Sequence, residues 1–241
     1  MVHDSTIVID RRYNGPRLSG NGGYVAGVLA RHVDADGAVE VTLRAPIPIG
    51  TPLALARDGD DRMLLKHDTR LVAEARPTTL TLDPPGVQDW AAAERLAADG
   101  GCGEDSDFHW CLVCGRGRGV GDGLRVFGQR LEDRPMSLSL YQPHAAHAAD
   151  DGRIDAAFLW GALDCPGAWA VQDPDDWRLA MTGRMTGQVF HRPHPEEPCM
   201  VVGWKVGADG RKLLAGTAIY TRSGTLCAQA LSTWIVVAKA D

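Results

Sequence analysis

The sequence has no surplus of basic residues: 25 lysines and arginines stand against 31 aspartates and glutamates, a net charge of −6 at pH 7. A phosphate backbone or an anionic membrane surface calls for the opposite balance, so neither nucleic acid nor a membrane is expected as a partner. The opening MVHDSTIVIDRR has no apolar core behind a basic end, and no stretch approaches the ~20 apolar residues of a membrane-spanning helix. A cytoplasmic protein is expected. The six cysteines, at 102, 111, 114, 165, 199 and 227, are too few and too scattered for a secreted disulfide scaffold, and in the cytoplasm they stay mostly reduced. Phosphate-loop and dinucleotide fingerprints are missing too. The glycine-rich run from Gly115 to Leu124 lacks the Gly-Lys-Ser/Thr ending and any strand-to-helix context, and reads as a turn-rich loop.

What is present is an ordinary globular composition, 44 % apolar and 23 % charged over 241 residues. That length suits one large domain or two of about 120 residues. Thr6 to Tyr13 reads as a strand, and Asn21 to Val33 as a helix with Asn21 as its N-cap. Strand-like runs follow at 39–44, 52–57, 63–67 and 71–75, separated by proline and Gly-Asp turns. Residues 83–107 then combine Pro-Pro-Gly, an Ala-rich helical stretch at 87–98 and an acidic Gly-rich segment, the composition of a connector. Beyond it the order returns: strands at 124–131 and 137–142, a helix from about Ala156, and strands near 188–191, 200–206, 213–221 and 226–237.

Three anchors support an internal duplication. Arg44 with Pro46, Pro48 and Pro52 parallels Arg192 with Pro193, Pro195 and Pro198; the run at 61–65 parallels that at 210–214; and Leu71–Ala75 parallels Leu226–Ala230. They fall in the same order in both halves. The expected units are 1–105, which includes the connector, and 106–241.

A central helix followed by an antiparallel meander is an α+β arrangement that buries the helix on one sheet face. The pattern resembles the hotdog fold of the thioesterase superfamily, and two copies in one chain resemble the tandem, or double, hotdog acyl-CoA thioesterases. Many members start the central helix with a small or Gly-Gly pair, four mostly apolar residues, and then Leu-Ala-Asp or Leu-Ala-Glu. Here Ala156-Ala157 is followed at that spacing by Ala162-Leu163-Asp164, while Gly22-Gly23 is followed by Val28-Leu29-Ala30. The first copy has kept the glycines and the second the acid.

The resemblance implies one composite site, with Asp164 facing the amides of Gly22 and Gly23 across the interface between halves. Asn21, Gly22, Gly23 and Tyr24 are the candidate substrate-binding residues. The second location, with Ala30 and Ala156, is expected to be inactive. Helix N-terminal N–H groups can hold an oxygen that becomes negative during acyl transfer, and a carboxylate can serve as general base or as nucleophile. The expected activity is hydrolysis of an acyl thioester of CoA or of a carrier protein, with no cofactor and no metal. Further association of such double chains into homo-oligomers is also implied. The alternative is a non-catalytic protein that binds acyl-CoA or another ligand. A hydratase ranks last, because no Asp-x-x-x-x-His motif is present.

Apolar flanks place Asp164 in a buried setting, and Pro166 should kink or restart its helix, leaving open whether the carboxylate caps the new turn. Cys111 and Cys114 resemble half of a zinc knuckle, but the other candidate ligands, Cys102 and the histidines at 144 and 147, look isolated, so reduced structural thiols are expected. Zinc in a separate interaction module is the competing reading. Cys165 has no histidine base in view. Arg116, Arg118 and Arg125 are candidates to meet CoA phosphates, and Trp160, Trp169 and Trp204 to line the core or an acyl pocket.

Overall fold

The computed structural model describes residues 5–173 and 175–237. Eleven strands form a single sheet: β1 (Ser5–Val8), β2 (Ala38–Leu43), β3 (Pro52–Asp58), β4 (Arg62–His67), β5 (Arg70–Thr78), β6 (Phe127–Arg130), β7 (Met136–Tyr141), β8 (Ala180–Val189), β9 (Cys199–Asp209), β10 (Lys212–Thr221) and β11 (Leu226–Val236). Their order across the sheet is β1-β3-β4-β5-β2-β8-β11-β10-β9-β7-β6, and each pairing is antiparallel. Read outward from the central β2–β8 pair, both halves have the same connectivity, with β6 added at one edge. All three sequence anchors occupy equivalent places: the link after β2 or β8, the β3–β4 or β9–β10 hairpin, and β5 or β11. The α+β tandem architecture is therefore the one expected.

The strand expected at 124–131 is confined to β6, and two others differ more from the expectation. The first ends at Val8 because the Asp10 carboxylate accepts from Arg12 N at 2.9 Å and turns residues 11–13 into a 3-10 helix. Strand β8 begins eight residues earlier than its apolar content suggests. Its Met-Thr-Gly-Arg-Met-Thr-Gly run is a weak strand former, but it finds ladder partners in β11 from its start and in β2 as well from Arg184 to Gly187.

Four helices accompany the sheet: α1 (Gly22–Ala30), α2 (Trp90–Asp99), α3 (Ala156–Ala162) and α4 (Asp164–Val171). The break between α3 and α4 at Leu163 follows from Pro166, which has no N–H for the Ala162 carbonyl. Helices α1 and α3 pack against each other in opposite directions, and Val25, Leu29, Leu159 and Leu163 join residues of both halves in one core. Helix α2 lies before the expected unit boundary at residue 105, yet it packs through Trp90, Ala93 and Leu96 against Leu138, Met200 and Val202 of the second half. The chain from 100 to 126 bridges the halves, with Leu112 N donating to Asn14 O at 2.7 Å and Gly101 N to Gly128 O at 3.3 Å.

Candidate active site

Because the helix restarts after Leu163, Asp164 becomes the first residue of α4 and is only 3 % exposed. Its carboxylate does not cap that helix. It crosses instead to the first half. Oδ2 accepts from Gly23 N at 3.1 Å and from Asn21 Nδ2 at 3.0 Å, and Oδ1 accepts from Thr182 Oγ1 at 2.7 Å. Burial pushes its pKa up to about 6 despite these three donors. Burial thus makes Asp164 more basic than an exposed aspartate.

Asn21 connects two roles. Its Oδ1 accepts from Tyr24 N at 2.9 Å and caps α1, which aims Nδ2 at Asp164. Glycine at 23 is dictated by the helix contact: a Cβ there would lie 2.5 Å from Trp160 O and 2.7 Å from Asp164 Cβ. Only a bare backbone lets the Gly23 N–H reach the carboxylate.

A cavity of about 640 Å³ opens at this point, lined by Asn21, Gly22, Asp164 and Thr182, with Leu43, Ile47, Phe108, Trp169, Leu179 and Trp234 among its apolar walls. The expected pair of backbone donors is reduced to one. Gly23 N is engaged by Asp164, whereas Gly22 borders the cavity and its N–H meets no protein acceptor among the described residues. Tyr24 does not line the cavity. Its ring packs on Tyr13 and Phe158 at centroid distances of 4.5 and 5.1 Å, and burial raises its pKa. At the location with Ala30 and Ala156 there is no buried carboxylate. Arg31, next to Ala30, pairs there with Asp155, the cap of α3, at 2.7 Å.

Thr182 is the residue that sequence reasoning missed. It lies in the part of β8 with no apolar alternation, and only the pairing of that strand at the centre of the sheet brings its hydroxyl to Asp164. The candidate phosphate-binding arginines are engaged within the protein. Arg116 donates to Gly100 O and Ala98 O at 2.6 Å each, Arg118 to Trp110 O and Arg12 O, and Arg125 to Arg118 O at 2.5 Å. Of the three tryptophans, Trp169 lines the cavity, Trp160 is buried in the core, and Trp204 packs in the cluster under α2.

The cysteines are less isolated than their spacing suggests. Cys111, Cys114 and Cys165 converge beside Asp164 with their sulfurs within 4.8 Å of one another, close enough to share a metal, and Cys102 Sγ lies 3.6 Å from Cys114 Sγ. His144 and His147 do not join them: His144 caps a short 3-10 turn, and His147 stacks on Phe158 at 4.5 Å.

No protein-family model matches the chain, and no curated protein is similar to it in sequence. Solved structures do share its fold. A thioesterase-described protein from Novosphingobium aromaticivorans is 14 % identical with a TM-score of 0.64, covering 97 % of this chain and 95 % of that one. The thioesterase II-described protein of Thermobifida fusca is 17 % identical with a TM-score of 0.61, covering 99 % and 96 %. A hotdog-fold protein of unknown function from Alicyclobacillus acidocaldarius is 13 % identical with a TM-score of 0.62, covering 98 % and 93 %. These are full-length matches. The chain therefore has the tandem hotdog fold, and its structural neighbours include proteins described as thioesterases. No helix among the described residues is long and apolar enough to cross a membrane.

Proposed function

We propose that the protein hydrolyses an acyl thioester of CoA or of an acyl-carrier protein in the cavity between its halves. The observation that carries this reading is Asp164: a buried carboxylate of raised basicity, held by donors from both halves at the floor of an apolar cavity. The acyl chain occupies the apolar walls, and the carbonyl oxygen points to the Gly22 N–H at the positive end of α1. Asp164 takes a proton from a water molecule whose oxygen adds to the carbonyl carbon. The tetrahedral oxyanion then collapses, the C–S bond breaks, and the thiolate leaves and is protonated. A general base fits better than a nucleophile, because three hydrogen bonds and near-complete burial leave the carboxylate within reach of water rather than of a bulky thioester. No cofactor enters this scheme.

The test is thiol release from a panel of acyl-CoAs and acyl-carrier proteins. Asp164→Asn keeps the shape of the side chain, and its kcat should fall by about 10²- to 10⁴-fold. Wild-type turnover in that variant would refute the assignment. A second reading, a non-catalytic acyl-binding protein, is favoured by one observation: Asp164 itself consumes the Gly23 N–H. Calorimetric binding of acyl-CoA with no turnover across the panel would establish it instead.

A further inference from the structure

Four of the six cysteines gather at one point although they come from three separate segments: Cys102 follows α2, Cys111 and Cys114 sit in the loop beyond it, and Cys165 is the second residue of α4. The sulfurs of Cys111, Cys114 and Cys165 all lie within 4.8 Å of one another. Cys102 Sγ is 3.6 Å from Cys114 Sγ, and Cys111 Sγ is 3.9 Å from Cys165 Sγ. Tetrahedral zinc with Zn–S bonds of about 2.3 Å separates its sulfurs by about 3.8 Å, whereas a disulfide requires about 2.05 Å. The Cys102–Cys114 and Cys111–Cys165 separations match the first geometry; Cys102 stands outside the group of three mutually close sulfurs and has to draw nearer to the rest of it to supply the fourth corner.

The backbone around the thiols is shaped for the same purpose. Cys111 and Cys114 bracket a tight turn in which Val113 N donates to Cys111 Sγ at 3.4 Å and Gly115 N to Cys111 O at 3.1 Å. A Cβ at Gly115 would lie 2.4 Å from His109 O and 2.6 Å from Cys111 N, so the turn closes only with glycine there. Cys102 is laid beside this turn by two backbone bonds, Cys102 N to Cys114 O at 2.8 Å and Arg116 N to Cys102 O at 3.0 Å. Asn21 Nδ2 stands 3.9 Å from Cys111 Sγ, a second N–H donor toward the cluster. Such donors offset the excess negative charge of four thiolates around one divalent ion.

We infer that Cys102, Cys111, Cys114 and Cys165 bind one structural zinc ion, which fastens the 100–126 segment to the start of α4. Soft sulfur ligands select zinc over hard cations, and four protein ligands close the site to water, so the ion shapes the molecule rather than joining the reaction. On binding, Zn²⁺ displaces the protons of four thiols, which pass to solvent. The consequence is local. Cys111, Cys114 and Cys165 also line the cavity, so the ion stiffens the wall next to Asp164.

The test uses the full chain without a metal-binding tag, expressed in zinc-supplemented medium. Elemental analysis should give about one zinc per chain, and Co²⁺ exchange should produce visible d–d bands with thiolate-to-cobalt charge transfer. Cys102→Ser, at the half-buried corner of the cluster, should lower zinc content and affinity by at least about tenfold. Cys199→Ser, outside the cluster, should keep the full complement. Removing zinc from wild-type protein with a chelator should expose the four thiols to a thiol reagent and lower the melting temperature. These readouts do not depend on turnover. The proposal is overturned by wild-type protein that takes up no stoichiometric zinc and shows six freely titrating thiols. It is equally overturned by a mass two hydrogens lighter per linked pair, which would make the cluster disulfides.

Discussion

Replacing Gly23 with alanine places one methyl group where helix α1 meets α3 and α4. The new carbon would sit 2.5 Å from Trp160 O and 2.7 Å from Asp164 Cβ, against ordinary contacts of about 3.5–4.0 Å. Both neighbours belong to the helix backbone or its first side-chain atom, so neither can rotate away. Helix α1 must therefore retreat by about 1 Å, at an overpacking cost of about 1–3 kcal/mol. The same retreat weakens the Gly23 N–H bond to the Asp164 carboxylate, a charged-group bond worth about 1.5–3 kcal/mol. Alanine returns about 0.5–1 kcal/mol through the unfolded chain, which leaves a net loss of about 3 kcal/mol. Guanidinium unfolding should show this loss without a change in m, and the melting temperature should drop by about 6–12 °C. Gly37→Ala is the matched control. Gly37 is exposed and a Cβ there meets only Thr78 O at 4.0 Å, so stability should stay within about 0.5 kcal/mol of wild type. If Gly23→Ala were as stable as Gly37→Ala, the close helix contact and the bond it permits would both be refuted.

Two other substitutions separate position from chemistry. Thr182→Val removes the donor to Asp164 Oδ1 while keeping the side-chain shape; kcat should fall about 10- to 100-fold with KM nearly unchanged, and Thr182→Ser should restore most of it. Equal losses in both variants would exclude the hydroxyl as the orienting group. His147 gives a pH prediction. Burial lowers its pKa to about 4, and its Nδ1 is buried without a partner among the described residues. Between that value and the unfolded one of about 6.5 the unfolded chain binds the extra proton, so the contribution is fully present above pH 6.5 and is lost as pH falls through 4. Relative to His147→Phe, wild type should lose about 3 kcal/mol of stability from pH 7 to pH 4, with the other titrating groups cancelling in the difference. Parallel stability curves would contradict it.

Much of the fold is legible in the chain because its signals are local. Proline-rich links and hairpin turns recur in order, alternating strands lie between them, and Pro166 interrupts its helix wherever that helix packs. The uneven signature, glycines in one copy and the acid in the other, pointed to Asp164 opposite Gly22 and Gly23 through its resemblance to the hotdog thioesterases. Strand β8 escapes this logic: its glycine-containing first part becomes a strand because β11 pairs with it, β2 joining only from Arg184 to Gly187, and Thr182 was hidden with it.

Local sequence thus determined the repeat, the helix break and the candidate acid. Tertiary structure decided which donors that acid meets, that Gly22 rather than Gly23 offers a free amide, that Tyr24 faces away, and that Cys102 and Cys165 complete a cluster with Cys111 and Cys114. The physical reason is distance along the chain. Asp164 meets Asn21 and Gly23 across separations of 143 and 141 residues, and such contacts follow from the register in which β2 meets β8 and from the helix crossing above it. No local spacing records either of these.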